Sequence, residues 1–431
     1  MSDPGSRRLI FRKQARSGIA RRPAGRLFAR LFARLFAQLA PTQLAPAVMA
    51  AAIALLSASQ AAAAPFKATL MLRDDDPRLE RSRTERPALG HPGGAVSAAL
   101  ELALKDAKLE LDAEGVSLLT DTVRVASAAA AREAAALAAK AGAAVLLADL
   151  PADWLLAAAD AVTLPVLNLS EPADRLRERD CRPNVYHLMP SERMRADALA
   201  QTLAARRWSQ VLLLTGPSDA DRERSAAALA AIKRYGLKVV ASKPFKLSAD
   251  PRERDLANPL LLTGVAASAG YDVVWVVDSD GEFARALPYR TALPRPVVGD
   301  AGLVALAWAA SFERYGAPQV SRRFARAAGR PMQGQDWTAW LAGRAIVTAA
   351  IAAPKGPLAT FQKALVAGEF DGSKGLGLSF RPWDGQLRQP MLLGDGQSVV
   401  ATAPVDGFLH PKNALDTLGA DAPEKLCKGR P

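Results

Sequence analysis

From Pro65 onward, short apolar runs of strand length alternate with runs of helix length, and the alternation is played through twice. KATLML (67–72) reads as a buried strand. Residues 94–107 place Val96, Leu100, Leu104 and Ala107 on one helical face. Val116–Leu119 reads as a weak strand, and 126–141 as an alanine-rich helix stopped by Gly142. AAVLLAD (143–149) is a strand, 151–160 a short helix and LPVLNL (164–169) a strand. A parallel strand pair needs a long crossover, and a helix supplies it, so this order predicts a parallel sheet covered on both faces. The second round starts at Ser191, which caps a helix reaching about Arg206. QVLLLT (210–215), a helix over 220–235 closed by Gly236, LKVVAS (237–242), YDVVWVVD (271–278) and PRPVVGD (294–300) follow. The join falls near 182–190. Helices are expected at 302–315, 335–352 and 357–367, and a β-hairpin around Gly394–Gln397. The fold class is therefore α/β, with two doubly wound parallel-sheet units in tandem.

The first 64 residues are set apart by charge. They hold ten Lys/Arg and one acid, +9 of the formal +13 of the whole chain, leaving only about +4 for 367 residues. The high isoelectric point is thus a property of the leader, and a nucleic-acid partner is not expected. An apolar run, Leu44–Leu56, follows the basic stretch and leads to an A-x-A pattern at Ala61–Ala64, so a signal peptide cleaved near Ala63–Pro65 and a periplasmic location are expected. Its 13 residues fall short of the roughly 20 of a membrane span. RLFARLFARLFAQ reads as a basic amphipathic n-region, or as a membrane-surface helix. SRRLIFRK (6–13) resembles a twin-arginine signal, and the choice of export route stays open.

Half the residues are apolar, enough for two real cores. The two cysteines, Cys181 and Cys427, both follow the leader, so an oxidising compartment favours a disulfide over two unpaired thiols. Catalysis is not expected. The three histidines, His91, His187 and His410, lie far apart, and His91-Pro92-Gly93-Gly94 lacks the G-x-S-x-G elbow that an oxyanion loop would serve. There is no Walker A, G-x-G-x-x-G or H-E-x-x-H motif, and no cofactor is expected.

VLNLSEPADRLRERDCRPNVYHLMPSERMRADALAQTLAARRWSQVLLLTG, with FERYGAP and AWLAGRAIVTAA further on, resembles the type I periplasmic solute-binding proteins of ABC importers, the branched-chain amino acid class. The resemblance covers about 67–407. RDDDPRLERSRTERPALGHP, CRPNVYHLMPS and Cys427 resemble the subgroup associated with pyrroloquinoline-quinone-dependent alcohol oxidation. The resemblance implies a ligand cleft and hinge, with lobe 1 at 65–185 and 300–370, lobe 2 at 186–299 and 371–410, and a tail at 411–431. It implies a monomer that captures a small solute by closure and hands it to ABC permease subunits. A soluble ligand-presenting or sensor module of the same fold, serving a periplasmic alcohol-oxidation system, is the alternative. The loop that grips the amino-acid carboxylate in the family corresponds to Ser170-Glu171-Pro172-Ala173-Asp174. Asp174 stands where Thr is usual, Pro172 has no N–H, and Ala301 stands where a lobe 2 Glu is common, so the amino-acid grip is expected to be lost.

Carboxylates stand at the strand ends instead: Asp74, Asp75, Asp76, Asp149, Glu171 and Asp174 in the first round, Asp278, Asp280 and Asp300 in the second. A doubly wound fold directs such positions into its cleft. Their oxygens suit a cationic solute or a hard cation. They equally suit helix caps and surface ion pairs, and Asp153, Asp174 and Asp300 are the clearest cap candidates.

Overall fold

The computed structural model describes residues 65–430, apart from 86–87, 248–249, 251, 253–269 and 355. The expected leader lies outside the described residues. The first sheet is built from β1 (Phe66–Arg73), β2 (Leu118–Val125), β3 (Ala143–Asp149), β4 (Val166–Asn168) and β5 (Val185–His187), all parallel, in the order β2-β1-β3-β4-β5. Around it run α1 (Arg81–Glu85), α2 (Ser97–Asp106), α3 (Lys108–Glu114), α4 (Ala128–Lys140) and α5 (Ala152–Ala159). The strand at 116–119 is longer and later than the sequence indicates. Beside β1, β2 keeps register from Leu118 to Val125, yet most of it is exposed. As an edge strand it reads TDTVRV, too polar for a buried-strand signal.

The second sheet contains β6 (Gln210–Thr215), β7 (Lys238–Pro244), β8 (Val273–Val277) and β9 (Val297–Gly299), parallel in the order β7-β6-β8-β9. Its helices are α6 (Glu192–Ala205), α7 (Asp219–Arg234) and α8 (Glu282–Ala286). Ser191 starts α6 by accepting from Met194 N at 3.2 Å, as expected, and Ser218 with Asp221 forms a capping box on α7.

The helix expected at 302–315 is absent. The chain makes β10 (Val304–Leu306) and a loop, and helix resumes at α9 (Ala317–Ala328). Gly302 sits at φ +63°, and a Cβ there would lie 2.1 Å from the Val297 carbonyl oxygen, so the turn needs glycine. The apolar run after it pairs with Leu392–Gly394 rather than coiling; periodicity cannot separate the two outcomes in so short a run. Then come α10 (Gly334–Ala352), α11 (Leu358–Ala367), the small pair β11 (Phe370–Asp371) and β12 (Gly377–Leu378), and the expected hairpin, β13 (Met391–Gly394) and β14 (Val399–Ala403). Gly343 lets α10 and α2 approach: a Cβ there would sit 2.7 Å from that of Ala103.

β10 and β13 join the two halves. Val304, Leu306 and Leu392 point into the core of the first sheet, with Trp337 and Phe370. Ala305, Met391 and Leu393 point into the core of the second, with Leu213 and Trp275. Strand period two thus gives one small sheet a face in each core. Polar contacts bind the neighbouring crossings. Gln389 Nε2 donates to Leu188 O at 2.7 Å, and the buried Lys374 Nζ donates to Gln389 Oε1 at 3.0 Å and Pro390 O at 3.1 Å.

The tail crosses both halves. Leu418 enters the second core, and Gly419 N donates to Asp197 of α6 at 2.8 Å. The fully buried Arg381 holds Asp416 at 3.0 Å and the carbonyls of Leu415 and Leu418 at 2.7 Å each. Cys427 is disulfide-bonded to Cys181, with a Cα–Cα distance of 5.6 Å. Arg430 stacks over Tyr186 of β5.

Candidate functional site

A cavity of about 310 Å³ lies between the two sheets' carboxyl-end loops. The first half contributes Leu89–Pro92, Ser170–Pro172 and Gln335; the second contributes Arg195 and Leu199 of α6, Arg224 of α7 and Trp275 of β8; Met189 and Val304–Ala307 line it from the crossings. Its lining mixes apolar side chains with Arg, Glu and Asp.

Of the nine carboxylates picked out in the sequence, Glu171 and Asp300 line this cavity. The others are held elsewhere. Asp74 and Asp75 are exposed. Asp76 caps a short 3-10 turn and pairs with Arg78, whose guanidinium also reaches Asp149 at 2.6 Å. Burial pulls the Asp76 carboxyl up, but hydrogen bonds and charge from Arg78 outweigh it and hold it below the usual range. Arg78 thereby fills the switch point between β1 and β3, where open α/β sheets commonly take ligands. The same happens between β6 and β8, where Asp221 accepts from Ser279 N and Ser218 Oγ at 2.6 Å each. Asp174 accepts from Arg193 N at 3.0 Å, at the start of α6, and burial pushes its carboxyl up to about 6. Asp278, fully buried, accepts from Ala284 N at 2.8 Å in α8, and burial raises it too. Asp280 meets Arg83 at 2.9 Å. Asp300 is bonded to Arg224 and to Asp278 N. Among the described residues, no three His, Cys, Asp or Glu side chains gather in a metal-holding group.

Sequence reading missed the cations. Arg224 pairs with Asp300 and lies 3.4 Å from Glu192; Arg195 lies 3.7 Å from Glu192. Burial acts to raise Glu192, but Arg224 and Arg195 dominate and hold it below its usual range. These residues sit in helices α6 and α7, where charged positions look like solvated faces. His91 lines the cavity, and burial lowers it. His187 is buried against Asn168 at 3.0 Å, and His410 N donates to Thr417 Oγ1 of the tail at 2.8 Å.

The β4 loop is set by two residues. Asn168 Oδ1 accepts from Ser170 N and Glu171 N, at 3.3 and 2.9 Å. Arg177, itself buried, donates to the carbonyls of Glu171, Ala173 and Met189 at 3.0, 3.0 and 2.8 Å and to Gln386 at 2.9 Å. The loop and the first crossing are thus one unit.

No protein-family model matches the sequence, and no curated protein matches it. Solved structures match the fold. An ABC transporter substrate-binding protein from Sphaerobacter thermophilus is 17% identical, with 83% of this chain and 100% of that chain covered, at a TM-score of 0.63. A branched-chain amino acid ABC transporter periplasmic ligand-binding protein from Burkholderia xenovorans is 15% identical over 78% and 95%, at 0.62. An ABC transporter solute-binding protein from R. palustris, in complex with benzoate, is 16% identical over 78% and 94%, at 0.58. This chain has the fold of type I periplasmic binding proteins.

Proposed function

We propose that the protein is the exported solute-binding component of an ABC importer, a capture device without chemistry of its own. The observation that carries this reading is the cavity of about 310 Å³, lined from both lobes and bordered by the crossings that join them. A solute there touches both lobes only when they are together, so it favours the closed form by the contacts the open form lacks. A permease then reads closure. The periplasm is the compartment this reading requires, and the Cys181–Cys427 bond fits it.

The test is a thermal-shift screen of amino acids, aromatic acids, alcohols and cations, followed by small-angle X-ray scattering on each hit. A ligand of the folded form raises Tm, and a captured solute must also reduce the radius of gyration. Hits that raise Tm without compaction count against capture by closure, and a panel without any hit counts against the reading as a whole.

A further inference from the structure

The polar atoms at the cavity narrow the solute class further; this step rests on the solute-binding reading above. From Ser170 to Ala173 the β4 loop has no N–H left for a carboxylate. Ser170 N and Glu171 N are used by Asn168, Pro172 has none, and Ala173 N donates to Glu171 Oε1 at 3.0 Å. The guanidiniums at the cavity are matched internally. Arg78 holds Asp76 and Asp149, Arg83 holds Asp280, and Arg195 and Arg224 share Glu192 and Asp300. Glu171 adds a further acid, raised by burial. An anionic solute therefore finds no spare positive charge, and an ammonium finds only Glu171, whose carboxyl burial shifts toward the neutral form.

What is spare is hydrogen-bonding capacity at both ends. Gln335 lines the cavity at 8% exposure; its Nε2 donates to Gly90 O at 3.3 Å, which orients the amide, and its Oε1 has no partner. Ser170, 5% exposed, has a buried hydroxyl without a partner. Across the cavity the Nε atoms of Arg195 and Arg224 are also buried and without a hydrogen bond. The 3.4 Å from Arg224 Nε to Glu192 permits attraction but gives no aligned bond. One end thus needs a donor and the other an acceptor. A hydroxyl group serves both without bringing a charge. Between them the wall is Leu89, Met189, Leu199, Trp275 and Leu306.

We infer that the cleft takes a small uncharged solute with an apolar body and a hydroxyl at each end, one donating to Gln335 and the other accepting from the Arg195–Arg224 pair.

Calorimetry with a matched series tests this: hexane-1,6-diol, hexan-1-ol, hexanoate and hexylamine. The diol is expected to bind on the order of tenfold more tightly than hexan-1-ol, because a buried polar group left unpaired is costly, and more tightly than either ion. Gln335→Leu is expected to erase the diol's advantage over hexan-1-ol. Arg195→Met, on the opposite side, gives the same comparison should Gln335→Leu fail to fold. Equal binding of diol and mono-alcohol, tighter binding of hexanoate or hexylamine, or a diol advantage that survives these substitutions overturns the inference. If the series fails but another solute compacts the protein, the capture reading stands without this solute class; if no solute compacts it, both fall.

Discussion

The guanidinium of Arg83, on the first lobe, lies 2.9 Å from the carboxylate of Asp280, on the second. This ion pair spans the cleft beside the cavity, with Ala88 and His91 close behind it against Gly281. Under the proposed closure it exists only while the lobes are together, and so adds to the closed form. Both partners are well exposed, 44% and 36%, and water and salt screen them. Asp280→Asn is therefore expected to weaken solute binding by no more than about fivefold, and less at high salt. Titrations at two ionic strengths check this; a loss that grows with salt contradicts it.

Asp197 connects pH to the tail. Its carboxylate is buried in α6, accepts from Gly419 N and meets Arg234 at 3.0 Å. Burial raises it to about 6 from an ordinary 3.8, outweighing Arg234. The folded protein then holds a proton that the unfolded chain has released. The stability from this group is full below about pH 3.8 and is lost as pH rises through about 6. At 1.36 kcal/mol per pKa unit the swing is at most about 3 kcal/mol. Asp174, also raised to about 6, titrates with it. Asp197→Asn removes one titration, so wild type is expected to lose stability relative to the variant between pH 4 and pH 7. Urea unfolding at several pH values measures the gap; a constant gap contradicts the coupling.

Much of the fold was legible because its signals are local. Ala143–Asp149 and Gln210–Thr215 are buried strands read directly from apolar runs, and Ser191 announces its helix. The failures have tertiary causes. β2 is a polar edge strand, and Val304–Leu306 is a strand only because Leu392–Gly394 lies beside it. The site was less legible still. The strand-end acids are visible in the sequence, but their partners are not: Arg78 reaches Asp149 across 71 positions, and Arg224 reaches Asp300 across 76. Gln335 carries no motif, and only burial beside Gly90 brings it to the cavity.

Arg177 makes a sharper demand on packing. It is buried, burial lowers it to about 10, and it donates to three carbonyls. Replacing it with Met takes one of two donors from each of the oxygens of Glu171, Ala173 and Met189, which keep Asn168 Nδ2, Leu176 N and Gln386 Nε2. Each such loss costs on the order of 1 kcal/mol or more, and relief of the buried charge offsets part of it. Arg177→Met is expected to lower stability by about 2–3 kcal/mol and to loosen the β4 loop. Hydrogen exchange at Ser170 and Glu171 reads the loop; unchanged protection there refutes the role.

The disulfide closes a long loop. Cys181 and Cys427 are 246 positions apart, so their bond removes much freedom from the unfolded chain. The chain-entropy model puts the upper figure at about 5 kcal/mol. In the folded state the tail has other anchors, Arg381 to Asp416 and Gly419 to Asp197, so it does not depend on the bond for its place. Cys427→Ser is thus expected to fold, to keep the tail seated and to unfold at a lower temperature. Cys181→Ser and the double variant should match it, since all three remove one cross-link. Non-reducing peptide mapping must show the linked pair in the wild type. Equal melting temperatures for wild type and all three variants contradict the entropic account, and two alkylatable thiols in the native protein contradict the bond itself.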